Sequence, residues 1–294
     1  MTAMIQATGL GKHYGRKKVL DHINLDIPAG RIVGVIGPNG AGKTTLLQAL
    51  LGLKSVHGSI RMAGFNPQSD RVKMQEQVCF IADTAILPSW MKVSQLLDYT
   101  AAVHPNFNRE RARGFLADTR INHKSRVKEL SKGMVTQLHL ALVMAIDAKI
   151  LILDEPTLGL DIIYRKTFYD TLLNDYYDAE KTIIITTHQV EEIEHILTDV
   201  IFIDDGQIVL DETTEQMQDK YHAVLVNAEH DAGAQALGPI AVNRSLSGNY
   251  YIFENTDRAA LEKLGPVHIP DLAELFVAKL GKNTLNKNQE VHGE

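Results

Sequence analysis

Apolar positions along the chain fall into two kinds of run. The first is short, β-branched and nearly continuous: 31-RIVGVIG-37, 149-KILILDE-155 and 182-TIIITTH-188. Such runs predict strands buried on both faces, as in a parallel sheet. Each ends in glycine or in polar residues, at the edge where open α/β sheets bind ligands. The second kind repeats at helical spacing. In 37-GPNGAGKTTLLQALLG-52, Leu46, Leu47, Leu50 and Leu51 share one side and Gly52 supplies a stop. Segments 94-SQLLDYTAAVHP-105, 109-RERARGFLADTRI-121 and 130-LSKGMVTQLHLALVMAI-146 combine helical apolar spacing with charged faces. Residues about 92–145 therefore read as a helical insert between strands of an α/β core.

Period-two alternation marks other segments. The stretch 19-VLDHINLDIPAG-30 reads as antiparallel strands with a turn, as does 56-VHGSIRMAGF-65, and 199-DVIFIDDGQIVLDE-212 reads as a hairpin about Asp205-Gly206. Beyond it, 222-HAVLVNA-228 and 250-YYIFEN-255 predict strands, and 257-DRAALEKLG-265 and 270-PDLAELFVAKLG-281 predict helices. The expected organisation is an α/β domain over 1–220, a small C-terminal α/β domain over 221–281 and a flexible tail over 282–294.

Composition narrows the function. Of 294 residues, 45% are hydrophobic and 22% charged, enough for a packed core. The net charge of −6 argues against a nucleic-acid partner, because binding a phosphate backbone needs a basic field. The lone cysteine, Cys79, sits in the apolar run 78-VCFIA-82 and reads as a small buried hydrophobe. The start, MTAMIQATGLGKHYG, lacks the apolar core of a signal peptide, and no stretch approaches the ~18 apolar residues of a membrane span. A cytoplasmic location is expected, with any membrane span supplied by a separate partner.

The chemistry starts at 37-GPNGAGKT-44, which fits G-x-x-x-x-G-K-[ST] after a strand and before a helix. The glycines let successive backbone N–H groups face phosphate oxygens, and the helix adds its positive end. Asn39, Gly40, Ala41, Gly42, Lys43, Thr44 and Thr45 are the expected phosphate-binding run. Lys43 can make charge-assisted bonds to the β- and γ-phosphates, and Thr44 offers a hydroxyl to Mg²⁺. Asp154 at a strand end can hold Mg²⁺, and Glu155 beside it is suited to take a proton from an attacking water. His188, at the end of another strand, is expected to contact the γ-phosphate. In 130-LSKGM-134, Ser131 stands beside Lys132. The residues alone leave three readings open: a nucleophile with its base, a helix cap, or something else.

Together these motifs resemble the ATP-binding subunit of ATP-binding cassette (ABC) transporters over residues about 4–220. The resemblance rests on the phosphate loop, on 12-KHYG-15, on 130-LSKGM-134 where the family signature is LSGGQ, on 153-LDEPTLGLD-161 and on 187-TH-188. It implies a P-loop NTPase core with an antiparallel β subdomain and a helical subdomain. It implies that Tyr14 stacks on adenine and that His188 is the switch histidine. It implies that two cassettes pack head to tail, so that Ser131 and Gly133, with Lys132 between them, face an ATP held by the other subunit. Asp161 would lie in the dimer-interface loop. ATP and Mg²⁺ are the implied cofactors. The implied partners are a separate transmembrane permease and a second cassette, identical or related, at the cytoplasmic face of the membrane.

Three positions depart from the family pattern. Lys132 replaces a glycine, and either reaches phosphate or is only solvated. Met134 replaces a glutamine. Asp83 stands where the family has a glutamine that touches Mg²⁺, and is expected to contact the metal itself or through one water. The run 103-VHPNFNRERARGFL-116 resembles a bacterial exporter-type subgroup. The alternatives are a cassette ATPase acting on DNA or the ribosome, a nucleotide-sensing module without turnover, and a Ser-Lys hydrolase.

Overall fold

The computed structural model describes residues 3–82, 86–117, 119–245 and 248–280. They divide into two compact units, Met1–Leu197 with Ile203–Ile208, and Thr198–Phe202 with Val209–Glu294.

The first unit contains β1 (Ala3–Tyr14), β2 (Lys17–Pro28), β3 (Ile32–Ile36), β4 (His57–Met62), β5 (Val78–Ile81), β6 (Ile150–Asp154) and β7 (Thr182–Thr187). Strands β5, β6, β7 and β3 lie side by side in that order, all parallel. The three β-branched runs are thus neighbours, buried along their whole length. Their carboxyl ends, Ile36, Asp154 and Thr187, share one edge, as the sequence pattern requires. Cys79 lies buried in β5, where burial pushes its thiol up to about 12, so it is no nucleophile at neutral pH.

A second sheet, β2-β1-β4, is antiparallel. Here the structure corrects the reading of 19–30. That stretch is one strand, β2, and the reversal comes earlier, at Gly15 and Arg16 between β1 and β2. The ladder carries several register shifts along β1. Two of them span Gly9 and Gly11, glycines that dilute the alternation by which β1 could have been recognised.

The helices of this unit are α1 (Lys43–Leu50), α2 (Arg71–Gln75), α3 (Val93–Val103), α4 (Arg109–Ala117), α5 (Lys132–Met144) and α6 (Ile162–Thr171). The insert between β5 and β6 is helical, as its spacing predicts. Val93, Leu96 and Leu97 of α3, Ala112 and Leu116 of α4, and Leu138 and Ala141 of α5 form one apolar cluster. Each fully buried Leu there contributes about 1.5–3 kcal/mol relative to an exposed one.

The hairpin β8 (Asp199–Asp204) and β9 (Gln207–Thr213) is divided between the two units. Its turn uses Asp205 (φ 46°) and Gly206 (φ 77°), the left-handed pair that tight hairpins favour. The Gly206 N–H donates to the Ala41 carbonyl (2.9 Å), and the Gly206 carbonyl accepts from the Asp21 N–H (2.8 Å). A side chain at 206 would meet the Val19 carbonyl at 2.5 Å.

The second unit contains α7 (Thr214–Lys220), β10 (Tyr221–Val226), α8 (Asp231–Ala236), β11 (Ala241–Ser245), β12 (Gly248–Glu254), α9 (Arg258–Leu261) and β13 (Val267–His268), followed by a helix over 272–280. Its sheet runs β11-β12-β10-β13, all antiparallel. Helix α9 is one turn long, shorter than the pattern of 257–265 suggests. On one face Val224, Val226, Tyr251 and Phe253 pack against Ala234 and Leu261. From the 272–280 helix, Lys279 pairs with Glu254 (2.9 Å), and its ammonium lies 4.9 Å from the centre of the Tyr221 ring.

Candidate nucleotide site

The phosphate loop follows from how β3 ends. After Ile36 the chain passes Gly37, where a Cβ would stand 2.3 Å from the Ile203 carbonyl oxygen. It then turns through Gly40 (φ 84°) and Gly42 (φ 110°), left-handed positions that disfavour other residues. Gly42 caps α1, and a Cβ there would meet the Val19 carbonyl at 2.7 Å. The loop is therefore pressed against β2 and the 203–206 turn, which fixes the direction of its N–H groups. Lys43, buried at the start of α1, folds back over the loop. Its ammonium donates to the carbonyls of Gly37 (2.6 Å) and Pro38 (3.3 Å). Desolvation lowers its pKa from the ordinary lysine value, while the charges of Glu155 and Asp154 oppose the shift.

Across the sheet edge, β6 delivers two carboxylates in different settings. Asp154 is buried, at 2% exposure, and accepts a hydrogen bond from the Thr186 hydroxyl on β7. Glu155 leaves the strand with φ 48°, a left-handed conformation uncommon for a side-chain-bearing residue. Its backbone N–H donates to the Thr186 carbonyl (3.0 Å) and hydroxyl (3.2 Å), so β7 holds the twist in place. The twist carries the Glu155 side chain to His188, whose Nδ1 lies 2.9 Å from Glu155 Oε2. An ionised carboxylate only accepts, so Nδ1 is the donor in this pair.

These groups line one cleft of about 490 Å³. It brings together Asn39, Gly40 and Gly42 through Thr45 with Asp154, Glu155 and His188. Ala41 is buried behind the loop. Lys17 and Leu158 also line the cleft. A lysine at the start of a strand carries no motif in the sequence, and only the β1–β2 turn brings Lys17 to the cleft.

The other expected residues stand apart from the cleft. The Tyr14 ring, half exposed at the end of β1, has the ammonium groups of Lys12 and Lys54 at 5.4 and 5.9 Å from its centre. Asp161 caps α6, its carboxylate accepting from the N–H groups of Ile163 and Tyr164 (3.1 Å each). Ser131 caps α5, accepting from the Met134 N–H (3.3 Å). Lys132 is exposed, and Gly133 faces the Gly159 carbonyl. Asp83 lies outside the described residues.

The capping role of Ser131 has a measurable cost. Ser131→Ala should destabilise the chain by about 1 kcal/mol, the usual worth of an N-cap. Denaturant unfolding checks this value. Any loss of ATP turnover well beyond it reports a second role for the hydroxyl.

The oxygen donors suit a hard cation. Among the described residues no three or more His, Cys, Asp or Glu side chains gather as a closed metal cage. The Thr44 hydroxyl and the Asp154 carboxylate nevertheless border the same cleft. Two such donors fit Mg²⁺, which keeps waters and takes phosphate oxygens for its remaining positions.

Comparison with known proteins bears on the family and the fold. The family model described as ABC transporter matches residues 20–158. The daunorubicin resistance ATP-binding protein DrrA3 of Streptomyces coeruleorubidus is 30% identical, over 80% of this chain and 78% of its own. The Nod factor export ATP-binding protein I of Cupriavidus metallidurans is 31% identical, over 74% of each. A solved ATP-binding subunit of an ABC transporter superposes with a TM-score of 0.68 at 22% identity, covering 74% of this chain and 92% of that one, which supports the fold. Among the described residues no helix is long and apolar enough to cross a membrane. The α/β core, the phosphate cleft and these relatives lead to one conclusion: the chain belongs to the ATP-binding subunits of ABC transporters, ATPases that act with membrane permease components to drive transport.

Proposed function

We propose that this subunit powers export by closing on a second cassette around ATP and reopening on hydrolysis. The observation that carries the reading is the Glu155–His188 pair at the rim of the cleft that also contains Lys43. Glu155 takes the proton of a water attacking the γ-phosphate, and His188 holds the carboxylate in its orientation. Lys43 exchanges the carbonyls of Gly37 and Pro38 for phosphate oxygens when ATP enters. Thr44 and Asp154 would hold Mg²⁺, which when bound neutralises phosphate charge.

Ser131 and the N–H groups at the start of α5 lie outside the phosphate cleft, so in this reading they serve the ATP of another cassette. Both halves of a composite site are intact in one chain, and we take the second cassette to be another copy of it. Lys132 adds a cation beside that surface. Tyr14 stacks on adenine, and Asp161 sits where the two cassettes meet. We also take residues 1–220 as the cassette and residues 221–281 as a small C-terminal domain, although the compact unit that holds the latter already includes Thr198–Phe202 and residues 209–220. Export rests on the resemblance to exporter-type cassettes and on the names of the two relatives. The subunit works at the cytoplasmic face of the membrane.

Purification of the tagged full chain from its native membranes tests the reading. A multi-span membrane protein should co-purify, and Mg²⁺-dependent ATP turnover should accompany the pair. Recovery with ribosomes or DNA and without a membrane protein would refute it.

A further inference from the structure

Arg165, on the first turn of α6, makes three hydrogen bonds to three separate places. Its Nε donates back to the Leu160 carbonyl (2.8 Å), the residue before Asp161. One terminal nitrogen reaches the Gln189 side-chain oxygen (2.6 Å) and the Glu192 carboxylate (2.5 Å). Gln189 directly follows His188, and its backbone N–H donates to the Thr187 hydroxyl (2.9 Å). Glu192 ends the short 3₁₀ turn Val190–Glu192. The guanidinium therefore spans the loop that carries Asp161 and the turn that carries His188.

The same face of α6 fastens the other end of the Asp161 loop. Tyr169, four residues on and on the same helical face, shares a hydrogen bond with the Thr157 hydroxyl (3.3 Å). Thr157 and Leu160 are thus both tied to α6, within the loop that starts at Glu155. The ion pair with Glu192 is only about a quarter exposed on either side, and Glu192 Oε2 is buried without a hydrogen-bond partner among the described residues. Arg165 is the salt-bridge partner of that carboxylate. A forked, planar cation suits this site, because its donors point in fixed and different directions.

We propose that Arg165 is a positioning residue that makes the Asp161 loop and His188 move as one body. Displacement of Asp161, as when a second cassette is seated or leaves, is transmitted through the guanidinium to the Gln189–Glu192 turn. It then reaches the His188–Glu155 hydrogen bond. The claim rests on the catalytic reading of Glu155 and His188, and Arg165 itself touches no reacting group.

The test compares ATP turnover, fluorescent-ATP affinity and melting temperature of the full chain with those of Arg165→Gln, Arg165→Lys, His188→Ala and the Arg165→Gln/His188→Ala double variant. Both Arg165 variants should lose about tenfold in kcat, short of the hundredfold that a full ångström of misplacement can cost. Their ATP affinity should stay within about twofold, since binding and turnover separate in this way when only the reacting geometry is disturbed. The double variant should be no slower than His188→Ala, because both changes break one chain of contacts. Arg165→Lys keeps the charge but cannot span the two loops, so it keeps the test valid if Arg165→Gln folds poorly. Full turnover in either Arg165 variant, or losses that multiply in the double variant, would overturn the proposal. Wild-type turnover in His188→Ala would instead remove the reading on which the proposal rests.

Discussion

Glu155→Gln is expected to lower ATP turnover by about 10²–10⁴-fold, or roughly 3–5 kcal/mol of transition-state stabilisation, while ATP still binds. The amide is nearly the same size as the carboxylate but cannot take a proton from water. The fold should tolerate the change, because the left-handed turn at Glu155 is held by its backbone N–H bonding to Thr186, and those bonds do not use the side chain. His188 keeps an acceptor in the amide oxygen, so its ring need not move. Phosphate release measured beside fluorescent-nucleotide binding separates the two effects. Equal rates for variant and wild type would remove Glu155 as the base, and loss of binding would show that its charge has another use.

The second large effect is on binding. Lys43→Ala should weaken ATP by up to about a hundredfold, from loss of charge-assisted bonds worth about 1.5–3 kcal/mol. The free protein should lose little stability. Its buried ammonium is penalised by desolvation, which the charges of Glu155 and Asp154 only oppose, and its hydrogen bonds go to loop carbonyls. Nucleotide titration and the ATP-induced rise in melting temperature both report the change. An unchanged affinity would mean that the phosphates lie elsewhere in the cleft.

Much of this site is legible in the sequence because its parts depend on backbone geometry. Gly40 and Gly42 take φ values that other residues disfavour, and Gly37 has no room for a Cβ, so the loop motif is tied to its shape. The runs that become β3, β6 and β7 are buried on both faces, so their apolar character announces parallel strands, and their polar ends fall on one edge. Strand β1 is harder to see, since Gly9 and Gly11 and its shifting register break the alternation. The cleft position of Lys17 and the reach of Arg165 are harder still. Both depend on contacts between segments distant in sequence, and neither a strand-end lysine nor a helix-surface arginine has a local pattern that marks it. Ser131 shows the opposite difficulty. Its helix-capping bond is local and readable, while any role toward another subunit's phosphate makes no contact within one chain and shows only in the likeness of 130-LSKGM-134 to the family signature.

In the proposed function each ATP would be held by Lys43 of one cassette and met by Ser131 of another. The most direct measurement mixes two defective chains, Lys43→Ala and Ser131→Arg, and follows phosphate release. Each alone should turn ATP over poorly. A mixed pair joins the intact phosphate loop of one chain to the intact Ser131 of the other, and turnover should return on mixing. A mixture as inactive as its components, or a Ser131→Arg chain that is fully active alone, would contradict the shared site.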